Sequence, residues 1–145
     1  MRALVLFLVL WAPVSAWSQE SGVQMYLAAA ADPCQSSAVA KSSVVLSVTT
    51  SAQVIALSGS TVIYVCGFMA TVGGVAPTYQ FQYGTGSVCA TGTTNLTGVF
   101  LPVVGSVNVY LPSMTAFRTI AGQALCIATG GTTPSVQGVL TYVQQ

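Results

Sequence analysis

The chain has 145 residues, only 3% of them charged, with a formal net charge of +1 and no histidine. Acid–base and nucleophilic catalysis depend on tuned carboxylates, imidazoles and amines, and two acids with three bases leave almost nothing to tune. Near-zero charge also excludes a basic surface for nucleic acid or for an anionic membrane.

Residues 1–16, MRALVLFLVLWAPVSA, carry the parts of a secretory signal peptide. Arg2 supplies the positive start, Ala3 to Val14 the apolar centre, and Val14-Ser15-Ala16 the small residues of a cleavage site. An apolar run of about 12 residues falls short of the roughly 20 that cross a bilayer. Pro13 interrupts it as a helix. The expected mature chain starts at Trp17 and keeps Glu20, Asp32, Lys41 and Arg118 as its charges. It is expected to be secreted, extracellular or periplasmic or at the cell surface, with no stable membrane insertion once the leader is gone.

Residues 17–42 read as an N-terminal arm. Val23 to Ala31 suits a short helix or an extended strand, and Asp32-Pro33 ends it. From Ser43 to Gln145 the pattern is strand after strand. Val44–Val48 and Gln53–Leu57 lead through the turn Ser58-Gly59-Ser60 into Thr61–Met69, which is apolar on both faces. Thr71 to Pro77 reads as a Gly/Pro loop. Tyr79-Gln80-Phe81-Gln82-Tyr83 alternates with period two, aromatics on one face and glutamines on the other. Gly84–Ser87 breaks that strand, Thr91–Thr97 is turn-rich, and Gly98–Leu101 makes a short edge piece. Ser106–Leu111 alternates again up to Pro112, and Phe117–Ile120 forms another short strand. Ala124–Ala128 and Val136–Val143 close the chain, parted by a turn at Gly130–Pro134.

Seven to nine short strands with Gly/Ser/Thr/Pro turns predict an all-β fold, a single antiparallel β-sandwich. About 110 residues suffice for one two-layer core and not for two domains. A jelly-roll-like winding is favoured over an immunoglobulin fold, because no tryptophan lies between two cysteines.

Cys34, Cys66, Cys89 and Cys126 make an even count in an exported chain, which predicts two disulfides with three pairings open. Zinc is rejected, since there is no C-x-x-C and no histidine. No other cofactor is expected. Gly84-Thr85-Gly86 is a turn, lacking the lysine and helix of a phosphate loop. Asn95-Leu96-Thr97 fits a glycosylation acceptor, meaningful only in a eukaryotic secretory route. Tyr79, Tyr83 and Tyr110 are candidates for a glycan-stacking or partner surface, with Gln80 and Gln82 as hydrogen-bonding neighbours. At strand spacing, Tyr79, Phe81 and Tyr83 also make an ordinary core face, and that assignment is favoured.

Ile63-Tyr64-Val65-Cys66-Gly67-Phe68, Tyr83-Gly84-Thr85-Gly86 with Cys89-Ala90-Thr91-Gly92-Thr93-Thr94, Ala124-Leu125-Cys126 and the closing Gly138–Val143 resemble a group of small β-rich proteins, exported or phage-associated, that carry four cysteines. The resemblance spans roughly residues 34–145 and implies a surface or virion-associated β-sandwich without catalytic residues. A cleavable leader fits the exported kind better than a virion protein assembled in the cytoplasm.

The expected function is therefore that of a non-enzymatic structural or interaction module, self-associating through sheet faces or edges that lack charge repulsion. Its expected partner is itself, in an oligomer or filament, or another surface or virion protein. Virion decoration and carbohydrate binding are the alternatives.

Overall fold

A computed structural model describes residues 32–110 and 114–145. The leader, Trp17, Glu20, the 17–31 part of the arm and the Leu111-Pro112 strand end lie outside the described residues. Seven strands form one antiparallel sheet: β1 (Ser42–Val48), β2 (Ala52–Ile55), β3 (Ile63–Thr85), β4 (Thr91–Asn95), β5 (Val107–Tyr110), β6 (Phe117–Arg118) and β7 (Ala124–Gln144). The only helical piece among the described residues is the 3-10 turn Ser87–Cys89.

Five of the strands are short, as expected, but β3 and β7 are not. They run 23 and 21 residues and pair with each other almost end to end, from Ile63 opposite Gln144 to Gly84 opposite Ala124. The Thr71–Pro77 and Gly130–Pro134 segments, expected as loops, lie inside these two strands. They sit across from each other and bend the paired ribbon, and neither one reverses the chain.

The two bends share a pattern, Gly73-Gly74-Val75-Ala76-Pro77 and Gly130-Gly131-Thr132-Thr133-Pro134. Gly74 and Gly131 have φ of +111° and +94°, open to glycine and strained for other residues. A Cβ on Gly74 would press on the Thr132 and Thr133 carbonyls, and one on Gly131 on those of Val75 and Ala76. The ladder register shifts between Gly73 and Thr78, so the corner is a pair of irregularities that bends both strands together. Prolines fit there because ladder donors are already missing at such breaks.

Folding the ribbon at this corner makes two layers. The first holds β1, the later half of β7, the earlier half of β3, and β5 with β6. The second holds β2, the earlier half of β7, the later half of β3, and β4, with Phe100 bridging to Tyr79. Phe68 and Phe81 flank the corner on the same strand, yet their ring centroids are 5.1 Å apart, so the layers meet face to face. The protein is thus an all-β antiparallel sandwich, and a long ribbon folded over a corner is compatible with a jelly-roll winding.

Alternation settles which side chains meet between the layers. Leu46, Val48, Val65, Phe68, Val72, Val136 and Leu140 from the first layer pack on Ile55, Tyr79, Phe81, Leu125 and Ile127 from the second. The disulfides are Cys34–Cys66 and Cys89–Cys126, one of the three pairings. The first ties the turn-rich segment 32–41 to β3, where Cys66 is the extra residue of a bulge between Val65 and Gly67. The second lies on the outer face of the second layer, opposite Leu125 and Ile127.

Candidate functional site

Among the candidates for a recognition surface, Tyr79 is 1% exposed, with its ring stacked on Phe100 at 4.7 Å, and so lies in the core face that strand alternation favours for it. Tyr83, on the same face near the strand end, is half-buried. Gln80 and Gln82 do face the other way, but both donate within the chain: Gln80 Nε2 to the Thr97 carbonyl at 2.6 Å and Gln82 Nε2 to that of Val88 at 3.4 Å. Tyr110 is the exposed one, at 41%, and lies on a different element from the other four. The five residues do not form one surface.

The buried Tyr79 hydroxyl has no hydrogen-bond partner among the described residues, and burial pushes its pKa up to about 12 from 10.0. An unfolded tyrosine releases its proton above pH 10, whereas the folded one holds it to about 12. Stability is therefore lost as pH rises through that window, by about 2–3 kcal/mol. Denaturant titrations below and above the window should show this loss, and Tyr79→Phe should reduce it while gaining about 1 kcal/mol at neutral pH.

The outer face of the first layer carries a row of apolar side chains. Val45 pairs with Val139, Val139 with Met69, and Met69 with Val109, so four strands each contribute one residue at the same level. Val45, Met69 and Val109 are 77%, 44% and 53% exposed. The neighbouring row is Ser47, Gln137, Thr71 and Val107, and Ser43, Thr141 and Gly67 continue on the other side. No charged side chain stands in these rows. One end of the face is covered by the disulfide-tethered segment, where Cys34, Cys66 and Val143 cluster with Val39 and Tyr64.

The row runs out at β1, whose one strand neighbour among the described residues is β7, so its other edge is open among them. Its seven residues, Ser-Ser-Val-Val-Leu-Ser-Val, pair with β7 without a bulge and contain no proline or charge. Those are the usual devices that stop a sheet edge from recruiting another strand. A second exposed apolar group, Leu101, Val103 and Val104, lies on the loop joining the Phe100 bridge to β5. The Gly105 amide donates to the Val72 carbonyl and so holds that loop beside the ribbon corner.

Two cavities open near β6. One, a groove of about 300 Å³ open to the surface, is lined by Phe68, Phe100, Phe117 and Tyr110 with Thr97, Asn108, Val109 and Ala116. The other, about 380 Å³, is lined by Asp32, Tyr64, Thr115, Phe117 and Arg118. There the Asp32 carboxylate accepts from the Thr115 hydroxyl at 2.5 Å, the Thr115 amide at 2.7 Å and the Cys34 amide at 2.9 Å. These bonds, led by the Thr115 hydroxyl, hold its pKa below the ordinary carboxylate value. Arg118 sits over the Tyr64 ring at 6.0 Å. With its acid committed to docking the segment, this cavity has no free acid–base pair among the described residues.

Among the described residues every cysteine is bridged and no three metal-ligating side chains gather. No helix there is long and apolar enough to cross a membrane. The bridges are compatible with an oxidising compartment. Comparison with protein-family models, with curated proteins and with solved structures found no match to this chain.

Proposed function

We propose that this protein is a secreted, non-enzymatic β-sandwich that associates with copies of itself, serving as a structural or interaction module of a cell-surface or extracellular assembly. The observation that carries this is the edge of β1, uncharged and without a second strand partner among the described residues, continuous with the Val45–Val139–Met69–Val109 row, in which Val45, Met69 and Val109 are exposed. Two copies pairing antiparallel along β1 about a two-fold axis satisfy the open backbone groups of both. The same pairing extends the apolar row across both molecules. A charged partner finds nothing on this face to pair with, whereas a second copy meets it without desolvating any charge.

Size decides what kind of assembly this is. Four strands about 4.8 Å apart and seven residues at about 3.4 Å cover about 450 Å² on each copy. Two such faces bury about 900 Å², less than the 1,200 Å² or more of a stable pairwise interface. One face contact is therefore weak, and repeated face and edge contacts are needed to hold an assembly through avidity. That favours a filament or shell over an isolated tight dimer.

The test is size-exclusion chromatography with light scattering on the oxidised protein, with Val45→Lys beside it. Wild type is expected as an oligomer or filament. Val45→Lys puts a charge at the middle of β1 and should yield monomer with an unchanged circular-dichroism spectrum, since an exposed substitution costs the fold within about 0.5 kcal/mol. A wild-type monomer at every concentration would remove self-assembly as the function.

A further inference from the structure

At the edge of the first layer away from β1, the core is left unfinished. β5 and β6 both pair with β3, and neither has another strand partner among the described residues. The aromatic cluster loses its cover toward that edge. Phe81 and Phe68 are 0% and 6% exposed, Phe100 and Phe117 are half-buried, and Tyr110 is 41% exposed. Between these rings runs the open groove, which Ala116 and Val109 also line. Ala116 and Phe117 line the neighbouring cavity as well, where Asp32 is fixed to Thr115. The described chain therefore begins beside the groove, anchored by those bonds and, two residues on, by the Cys34–Cys66 bridge.

We infer that this groove receives the chain's own arm, through the stretch Val23-Gln24-Met25-Tyr26-Leu27, which lies outside the described residues. Tethering selects the occupant. Met25 is seven positions from Asp32, so it stays within about 24 Å of an anchor already beside the groove. Such a tether holds the stretch at an effective concentration on the order of 1 mM, a level that a separate copy matches only when the protein itself is that concentrated. The residue pattern agrees. Val23, Met25 and Leu27 share one face of an extended segment, and Gln24 and Tyr26 share the other. Laid along β5, that segment bonds through its backbone to the groups that β3 leaves open, and turns its apolar face to the rings. The flexible thioether of Met25 suits an irregular aromatic wall and gains from sulfur–ring contact. No charge opposes the fit, since the stretch carries none and none lines the groove. β5 and β1 lie on opposite sides of β3 and β7, so the inference does not rest on association through β1.

A diazirine analogue of methionine, placed at position 25 alone in the full oxidised protein, tests this by photo-cross-linking and mass spectrometry. Cross-links are expected on the peptides that carry Phe100, Tyr110 and Phe117. In a mixture of isotope-labelled and unlabelled protein they should join residues of one copy. Tyr110→Lys puts a charge in the wall and should lower their yield about fivefold. Val45→Lys should leave the yield unchanged, whether or not that variant is monomeric, which separates this contact from assembly. Cross-links elsewhere on the surface, no cross-links, or a yield unaltered by Tyr110→Lys overturn the docking. Cross-links found only between labelled and unlabelled copies overturn the assignment to the chain's own arm. Should Tyr110→Lys not fold, moving the analogue to position 24, on the other face, should bring the same drop, and equal yields from 24 and 25 overturn the fit.

Discussion

Phe81→Ala is expected to cost about 4 kcal/mol, read as a fall in the urea midpoint without change in slope. Phe81 is fully buried in the later half of β3 and touches both layers. Its ring lies 5.1 Å from Phe68 and 5.1 Å from Phe117 in the first layer, and 6.0 Å from Tyr79 in its own. Truncation removes the contacts that join the layers and leaves an enclosed void, because Leu125, Ile127 and the backbone of a paired ribbon cannot collapse into it. The backbone position is also pinned from outside: the Phe81 carbonyl accepts from Leu96 at 2.9 Å and the Thr97 hydroxyl accepts its amide. Phe81→Leu keeps most of the volume and should cost under about 1.5 kcal/mol. A cost below about 1 kcal/mol for Phe81→Ala would mean that the two halves of the ribbon do not meet there.

That contact shows where sequence reasoning succeeds and where it stops. Period-two alternation in Tyr79–Tyr83 identifies Phe81 as an inward residue, since side chains of a strand must alternate. Nothing local says that its neighbour is Phe68, because that pairing depends on a corner whose two halves are far apart in the chain. The matching Gly-Gly-x-x-Pro patterns at Gly73 and Gly130 were the available signal. Each read alone is a loop, and only their alignment across an antiparallel ladder makes them one bend. Thr91–Asn95 looked like turn because Gly92 and the threonines favour turns, and it is a strand because β3 offers it an edge. The candidate surface was legible to a similar depth. Low charge marks the edges as unprotected, but the level at which Val45, Met69 and Val109 align is set by register alone. Asn108 and Tyr110 could be placed on one face by alternation, yet which face is the inner one follows from Phe68 beside them. The Asp32–Thr115 contact joins residues 83 apart and has no sequence signature.

Removing the Cys89–Cys126 bridge should be the most damaging two-residue change. Its cysteines are 37 residues apart and the other pair 32, and closing loops of that length restricts the unfolded chain by about 4 kcal/mol each. The loops do not overlap, so reduction of both removes about 8 kcal/mol, comparable with the whole stability of a small domain. The two losses should look different. Cys89 and Cys126 are fully buried, and Val88 and Cys89 hold left-handed φ of +49° and +59°. Such a conformation costs about 1–3 kcal/mol per residue and persists only where its surroundings enforce it. Cys89→Ala with Cys126→Ala should therefore release this turn, expose the start of β7 and lower the midpoint for the whole molecule. Cys34→Ala with Cys66→Ala leaves the ribbon intact and the segment held only by the Asp32–Thr115 bonds, which then open more often. Hydrogen exchange should then rise first in residues 32–41 and at the Thr115 amide, with the amides of β3 and β7 still protected. Equal, global loss of protection in both double variants would show instead that the tethered segment is an integral part of the core.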